Sequence, residues 1–267
     1  MATPRVLVLR APGTNCDQET AYAFDQAGAR SDIRHIFEVR RRPDQLADYQ
    51  ILCIPGGFSY GDDIAAGRLF ALQLEEFLAD VLREFIERDK LILGICNGFQ
   101  TLLKSGLLDG PGQTAPAATL TWNDHGRYED RWVDLEVSGD RCVFLRGVER
   151  LYLPIAHAEG KFVARDGETL KRLEAEGRLV LRYSLPRDQV SQAPAGEDRL
   201  PFPLNPNGSQ ADVAGCCDLT GRVFGLMPHP ERHIDPLQHP RWTRGEGDAS
   251  LQGTVLFANA VRHFSSL

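Results

Sequence analysis

Cys96 lies in Gly94-Ile95-Cys96-Asn97-Gly98, and His229 and Glu231 lie in Met227-Pro228-His229-Pro230-Glu231-Arg232. These residue types suit covalent acyl transfer: a thiolate attacks a carbonyl carbon, an imidazole moves protons, and a carboxylate orients the imidazole. Glycines two before and two after the cysteine let a strand turn abruptly into a helix. Such a turn holds the nucleophile in a strained pose at the top of a sheet. The sulfur then sits at a helix N-terminus, which favours the anion by about 0.3–1 kcal/mol. Bringing a thiol from a pKa of ~8.5 to ~7 takes roughly 2 kcal/mol. The helix falls short, so an imidazolium is needed nearby. His229 is the best candidate, fixed between two prolines at the end of an apolar run. In an extended segment Glu231 shares its face. His157, in Ile155-Ala156-His157-Ala158-Glu159-Gly160, is the rival base. His35, His233, His239 and His263 have no supporting neighbours, and His125 lies in a polar stretch. The tetrahedral oxyanion needs N–H donors. Asn97, next after the nucleophile, supplies one, and the Pro55-Gly56-Gly57 turn fits as the second because its backbone can approach closely. Each motif alone has a plain reading, as a buried cysteine, a strand-ending turn or a surface histidine. Their combination carries the chemistry.

These groups need a frame. Residues 6–9, 51–54 and 91–95 are short apolar runs, and residues 31–37 alternate loosely. Residues 18–27, capped by Asp17 and ended by Gly28, read as a helix, and residues 69–86 as one long amphipathic helix. Strands apolar on both faces, alternating with helices, form a parallel sheet covered on each side. Ligands then bind at the carboxyl ends of the strands, where residues 12–15, 55–63 and 94–98 fall. The later half reads as more antiparallel, with strands at residues 119–122, 132–137, 151–156 and 179–183 added to the sheet edge and a short helix at 168–175. Residues 106–116 form a connection and 185–206 an exposed loop. Residues 212–217 and 223–227 form a hairpin turning at Gly221, and residues 251–264 a final helix. The expected fold is α/β, a flavodoxin-like three-layer sandwich with a mainly parallel central sheet extended by antiparallel strands, and a single domain over residues 1–267.

Composition narrows the class. The chain has 267 residues, of which 42% are hydrophobic and 25% charged, as in a globular domain. A net charge of −7 argues against a nucleic-acid partner. Arg40-Arg41-Arg42, the one basic run, reads as a solvated loop face. No apolar run reaches the length of a membrane span, and residues 6–9 are too short for the core of a signal peptide. A cytoplasmic chain is expected. The six cysteines include no C-x-x-C pair and no zinc spacing, so neither a disulfide framework nor a metal site is expected. Gly160-Lys161 lacks the upstream glycine and following hydroxyl of a phosphate-binding loop.

The Cys96 elbow, the upstream Pro-Gly-Gly loop and the late His-Pro-Glu resemble the class I (triad) glutamine amidotransferases. The match extends to Pro12-Gly13-Thr14-Asn15-Cys16-Asp17, residues 55–62, residues 154–160 and Asn205-Pro206-Asn207-Gly208-Ser209. These blocks, in this order, resemble the glutaminase subunits of phosphoribosylformylglycinamidine synthases. Ala158 stands where those usually carry glycine, Thr14 where they carry serine, and residues 185–203 are longer than small members need. The resemblance implies hydrolysis of L-glutamine to glutamate and ammonia by Cys96, His229 and Glu231. It implies an oxyanion hole from Gly57 and Asn97, and Gln100 and His157 near the bound glutamine. Ammonia would pass to a large synthetase subunit that uses ATP and Mg²⁺ on phosphoribosylformylglycinamide in purine biosynthesis, with a small third subunit bridging them. No cofactor is implied in this chain. Three alternatives stay open: a glutaminase serving another synthetase, a cysteine peptidase, and a non-catalytic regulatory module.

Overall fold

The apolar runs become strands because both their faces are covered. The computed structural model describes residues 3–109, 115–186, 189, 199–245 and 252–265. The strands are β1 (Arg5–Arg10), β2 (Arg30–His35), β3 (Ile51–Ile54), β4 (Leu91–Ile95), β5 (Ala118–Thr121), β6 (Glu129–Val137), β7 (Arg150–His157), β8 (Lys161–Ala164), β9 (Leu181–Tyr183), β10 (Val213–Cys217) and β11 (Val223–Leu226). The helices are α1 (Asp17–Gln26), α2 (Ile36–Arg41), α3 (Arg68–Phe77), α4 (Ala79–Glu87), α5 (Asn97–Lys104), α6 (Gly167–Ala175) and α7 (Thr254–Ser265). A nine-stranded sheet runs β2-β1-β3-β4-β11-β10-β9-β6-β7. The strands from β2 to β11 pair parallel, in the flavodoxin-like order, and those from β11 to β7 pair antiparallel. β3, β4, β10 and β11 are buried along their whole length, whereas β7 alternates half-buried and buried residues, as a strand with one open face must. Right-handed crossovers that reverse direction at β1 put α1 on one face and α3 to α5 on the other. Phe24 of α1 meets Phe257 of α7 edge to face, with centroids 4.9 Å apart. Among the described residues no helix is long and apolar enough to cross a membrane.

Several expectations need correction. The helix expected over residues 69–86 is two helices, broken at Leu78, whose φ is −129°. A straight helix of that length would run about 27 Å, well past the roughly 17 Å of a five-residue strand such as β4. The break keeps Leu74, Leu78, Leu82 and Phe85 all buried. β2 stops at His35, where α2 begins, so Arg40 and Arg41 lie on a helix rather than a loop. The Arg40 guanidinium covers the Phe77 ring at 3.3 Å and donates to Gln73 at 2.6 Å. Asp17 is the first residue of α1 rather than its cap, and it pairs with Arg10 at 3.2 Å. β5 and β8 do not extend the main sheet but pair with each other. Residues 110–114 of the expected connection, and 187–188 and 190–198 of the expected loop, lie outside the described residues. At the end of that loop, Asn205 and Asn207 are buried rather than exposed.

The antiparallel extension does more than widen the sheet. β6 pairs β9 only over Leu135–Val137, while its earlier residues pair β7 as far as Glu129 with His157. The free end of this hairpin curls over the carboxyl ends of the parallel strands. There the Pro154 carbonyl accepts the His229 N–H at 2.8 Å.

Tight packing between α5 and the sheet sets the elbow. A Cβ on Gly225 of β11 would collide with the buried Phe99 ring of α5. Gly225→Ala is therefore expected to lower stability by about 1–3 kcal/mol, read as a lower urea midpoint at unchanged m. Gly167→Ala, whose Cβ would meet nothing within 4 Å, should be neutral or stabilise by up to about 1 kcal/mol.

Candidate active site

Cys96 joins β4 to α5 with φ +50° and ψ −104°, a left-handed backbone that a residue with a Cβ adopts only under constraint. Its N–H is tied to the Leu226 carbonyl at 2.8 Å. The two glycines are required by contact. A Cβ on Gly98 would strike the Ile54 carbonyl, and one on Gly94 would lie 2.7 Å from the Gly98 carbonyl oxygen. The sulfur is nearly buried and lies 3.7 Å from the Ala156 carbonyl oxygen on β7.

His229 follows β11. The expected extended segment is instead a single 3₁₀ turn, Pro230–Arg232, begun by a proline whose fixed φ suits a first helical position. The turn brings Glu231 back under the ring, with His229 Nδ1 and Glu231 Oε1 2.7 Å apart. Both side chains are buried. Burial pushes the imidazole toward its neutral form, but the Glu231 carboxylate and the Cys96 and Cys16 thiols outweigh it and hold its pKa well above the ordinary histidine value. The ring therefore carries its proton at neutral pH. This is the imidazolium that the thiol energetics require.

Gly57, at φ +136°, bridges to Thr14 and lines a cavity of about 270 Å³ with Cys96, Gln100, His157, Asp62 and Glu159. Asn97 opens α5, where first-turn N–H groups have no partner within the helix. Its side chain fastens the neighbouring loop to the elbow. Oδ1 accepts from Ser59 N at 3.2 Å, and Nδ2 donates to Asp62 Oδ1 and Gln100 Oε1, both at 2.9 Å. Gln100 Nε2 donates to the Glu159 carbonyl at 2.7 Å. His157 is buried with both ring nitrogens unpartnered among the described residues. Burial, with the nearby His229 charge, pushes its pKa down to about 3. It has no carboxylate to hold it, so of the two candidate bases only His229 has an orienting acid. The other histidines stand apart. His233 bonds the Tyr152 carbonyl through Nδ1 at 2.7 Å, and His125 pairs with Glu129 at 3.2 Å.

The loop carrying His157 is braced from two sides. Asn123 Nδ2 donates to the His157 carbonyl at 2.9 Å, and its Oδ1 accepts from Gly160 N at 3.0 Å. Asn207 Nδ2 donates to the Gly160 carbonyl and the Tyr183 hydroxyl, both at 2.9 Å. The Asn205 to Ser209 block thus acts on the site indirectly.

Cysteine spacing in the sequence did not single out Cys16. Cys16 N–H donates to the Gly56 carbonyl at 3.3 Å, and its sulfur accepts from Arg232 Nη2 at 3.2 Å. Arg232 is held in turn by Glu19 at 3.0 Å. A Cβ on Gly56 would meet both His229 Cε1, at 2.7 Å, and Cys16 Sγ, at 3.2 Å, so the missing side chain lets the thiol reach the ring. Burial keeps Cys16 as the neutral thiol. The only signal in the chain was its place in the Pro12 to Asp17 block. Cys16, His229 and Glu231 offer S, N and O atoms within 4.8 Å of one another, a set that cysteine spacing did not suggest. Its members are already engaged, the sulfur by a guanidinium and the ring by the carboxylate, which sets it against a divalent cation.

Glu231→Gln should lower the His229 pKa, since the carboxylate that raises it is gone. Less imidazolium is then present at neutral pH. Acyl transfer at Cys96 should fall about 10²–10⁴-fold, and the pH profile for alkylation of Cys96 should change. An unchanged profile would separate Glu231 from the charge state of the ring.

Comparison with known proteins places this geometry. Residues 3–264 match the CobB/CobQ-like glutamine amidotransferase domain family. The chain is 44% identical over 267 residues to the phosphoribosylformylglycinamidine synthase subunit PurQ of Dehalococcoides mccartyi, covering 98% of each. It is 41% identical over 274 residues to that of Methanococcus maripaludis, again covering 98% of each. A chain of PurLQS from Thermotoga maritima superposes with a TM-score of 0.72 at 30% identity, covering 98% of this chain and 100% of that one.

Proposed function

The chain belongs to the CobB/CobQ-like glutamine amidotransferase domain family, among the PurQ subunits of phosphoribosylformylglycinamidine synthase, and from that premise we propose that its Cys96, His229 and Glu231 hydrolyse L-glutamine to glutamate and ammonia. The observation that carries this reading is the buried His229–Glu231 pair at 2.7 Å beside the strained Cys96.

The chemistry follows from the charges. The Cys96 sulfur attacks the side-chain amide carbon of glutamine, and the oxyanion that forms takes N–H donors from Gly57 and Asn97. His229 gives its proton to the departing nitrogen, so ammonia leaves and a thioester remains. The neutral ring then removes a proton from water, the hydroxide attacks the thioester, and glutamate leaves as the Cys96 thiolate and the imidazolium return. Glu231 holds Nδ1 throughout and keeps the cation stable. Gln100 and His157 line the cavity that would receive glutamine.

The ammonia serves a synthetase subunit, which uses ATP and Mg²⁺ to convert phosphoribosylformylglycinamide to phosphoribosylformylglycinamidine in purine biosynthesis. A small subunit joins the two. This chain contributes a single domain with no cofactor of its own, and a cytoplasmic location goes with that pathway.

The test is reconstitution. Glutamate release by the purified chain should rise strongly when synthetase, bridging subunit, ATP and phosphoribosylformylglycinamide are added. Cys96→Ala should lower glutamine-dependent synthesis by about 10⁴-fold or more while synthesis from added ammonia persists. Glutaminase activity indifferent to the synthetase would favour another acceptor. Loss of ammonia-dependent synthesis as well would give Cys96 a structural role.

A further inference from the structure

The outer edge of β7 has no partner strand among the described residues, yet its carbonyls are in use. Alternate residues of a strand turn their carbonyls to the same edge. Pro154 belongs to the outer set, because an unpaired edge tolerates a residue without an N–H. Tyr152 and Ala156 go with it. The three carbonyls meet the catalytic turn and the elbow in order. Tyr152 O lies 2.7 Å from His233 Nδ1, Pro154 O accepts the His229 N–H at 2.8 Å, and Ala156 O lies 3.7 Å from the Cys96 sulfur. Two of these contacts belong to residues that carry the chemistry. His233 carries none.

His233 is held so that its ring can grip. Its N–H donates to the Pro230 carbonyl at 3.2 Å, and its own carbonyl accepts from Gly253 at 2.8 Å. The side chain is buried. It stands edge to face on Trp132 of β6, with centroids 4.9 Å apart, and the His239 ring lies 5.8 Å away. Burial holds its pKa below the ordinary histidine value against the pull of the Tyr152 carbonyl, and His239 adds to the effect. A neutral imidazole has one N–H. Nδ1 faces a carbonyl and Nε2 has no partner among the described residues, so the proton is on Nδ1. Tyr152 stands opposite Asp134, one residue before β6 begins to pair with β9 at Leu135. The bond thus grips the hairpin where it leaves the sheet.

We propose that His233 is a positioning residue for the reaction at Cys96: its Nδ1–H fixes where the β6–β7 hairpin bends, and through the Pro154 and Ala156 carbonyls that bend sets how His229 faces the Cys96 sulfur. The inference rests on the glutaminase reading above. Without the bond the Tyr152 carbonyl loses its donor, the strand is free to shift along the turn, and a small misplacement of base against nucleophile slows the chemical step more than it weakens binding.

The test compares His233→Leu with His233→Asn in the complex reconstituted with the synthetase. Leucine and asparagine have nearly the same shape, and both lose the ring against Trp132, but only asparagine keeps an N–H at the Nδ1 position. In His233→Leu, kcat for glutamine hydrolysis should fall about tenfold, the size of one lost hydrogen bond, with KM changed by less than about twofold. His233→Asn should recover most of the lost rate. Alkylation of Cys96 by iodoacetamide should slow and recover in the same pattern, a reading that needs no glutamine turnover. Equal losses in both variants would assign the effect to ring packing and overturn the proposal, as would an unaltered kcat in His233→Leu or a loss carried by KM. If His233→Leu no longer folds or assembles, His233 is a residue of the fold and the proposal is overturned as well. Glutamine turnover by the wild-type complex reports on the glutaminase reading separately. If that turnover is absent while the alkylation pattern holds, the glutaminase reading fails and the positioning role stands.

Discussion

A cysteine at φ +50° has to be held there. The conformation costs about 1–3 kcal/mol, and it persists because every way of relaxing it is blocked. β4 and α5 meet with no room for a Cβ at Gly94 or Gly98, the Ile54 carbonyl presses on the helix start, and Leu226 fixes the Cys96 N–H. The parallel core supplies the rigidity for this. β3, β4 and β11 are neighbours with both faces buried, so their carboxyl ends cannot drift apart. Gly57, Cys96 and His229 stand at or just beyond those ends. The strain at one residue and the alignment of the three loops have the same cause.

The electrostatics depend on exclusion of water. A buried imidazole would be neutral without Glu231, and a buried Glu231 would be costly without the imidazolium. Each makes the other tolerable. The pair therefore behaves as one unit whose positive end faces the thiols of Cys96 and Cys16. Arg232 and Glu19 close the rear of this unit through Cys16. A cysteine that the sequence spacing did not single out belongs to the environment of the base.

The second half of the chain completes a site that the first half begins. By strand order β7 is the far edge of the sheet, four strands away from β11. Curling of the β6–β7 hairpin returns it to the elbow, where the carbonyls of Pro154 and Ala156 meet His229 and Cys96. Asn123 and Asn207 then fix the loop after it, so that His157 and Glu159 form a wall of the cavity. These are backbone-directed hydrogen bonds from buried amides. They set position without adding charge to a site that already holds several.

The sequence by itself determined the alternation of apolar runs and amphipathic helices, the elbow at Cys96, and the pairing of His229 with Glu231. Each is local. Glycine spacing, proline constraint and a two-residue separation act within a few residues of the chain, so their consequences can be read from it. Even there, Pro230 turned an expected extended segment into a 3₁₀ turn and improved the pairing. What only the tertiary structure decided was long-range. It brought Cys16 against the His229 ring, placed β5 and β8 apart from the main sheet, and folded β7 back over the elbow. It also gathered Asp62 and Glu159 into one cavity, although 97 residues separate them. Sheet twist, hairpin curl and burial arise from the summed packing of the whole chain. No short stretch of residues encodes them, because no short stretch contains both partners of the contacts that result.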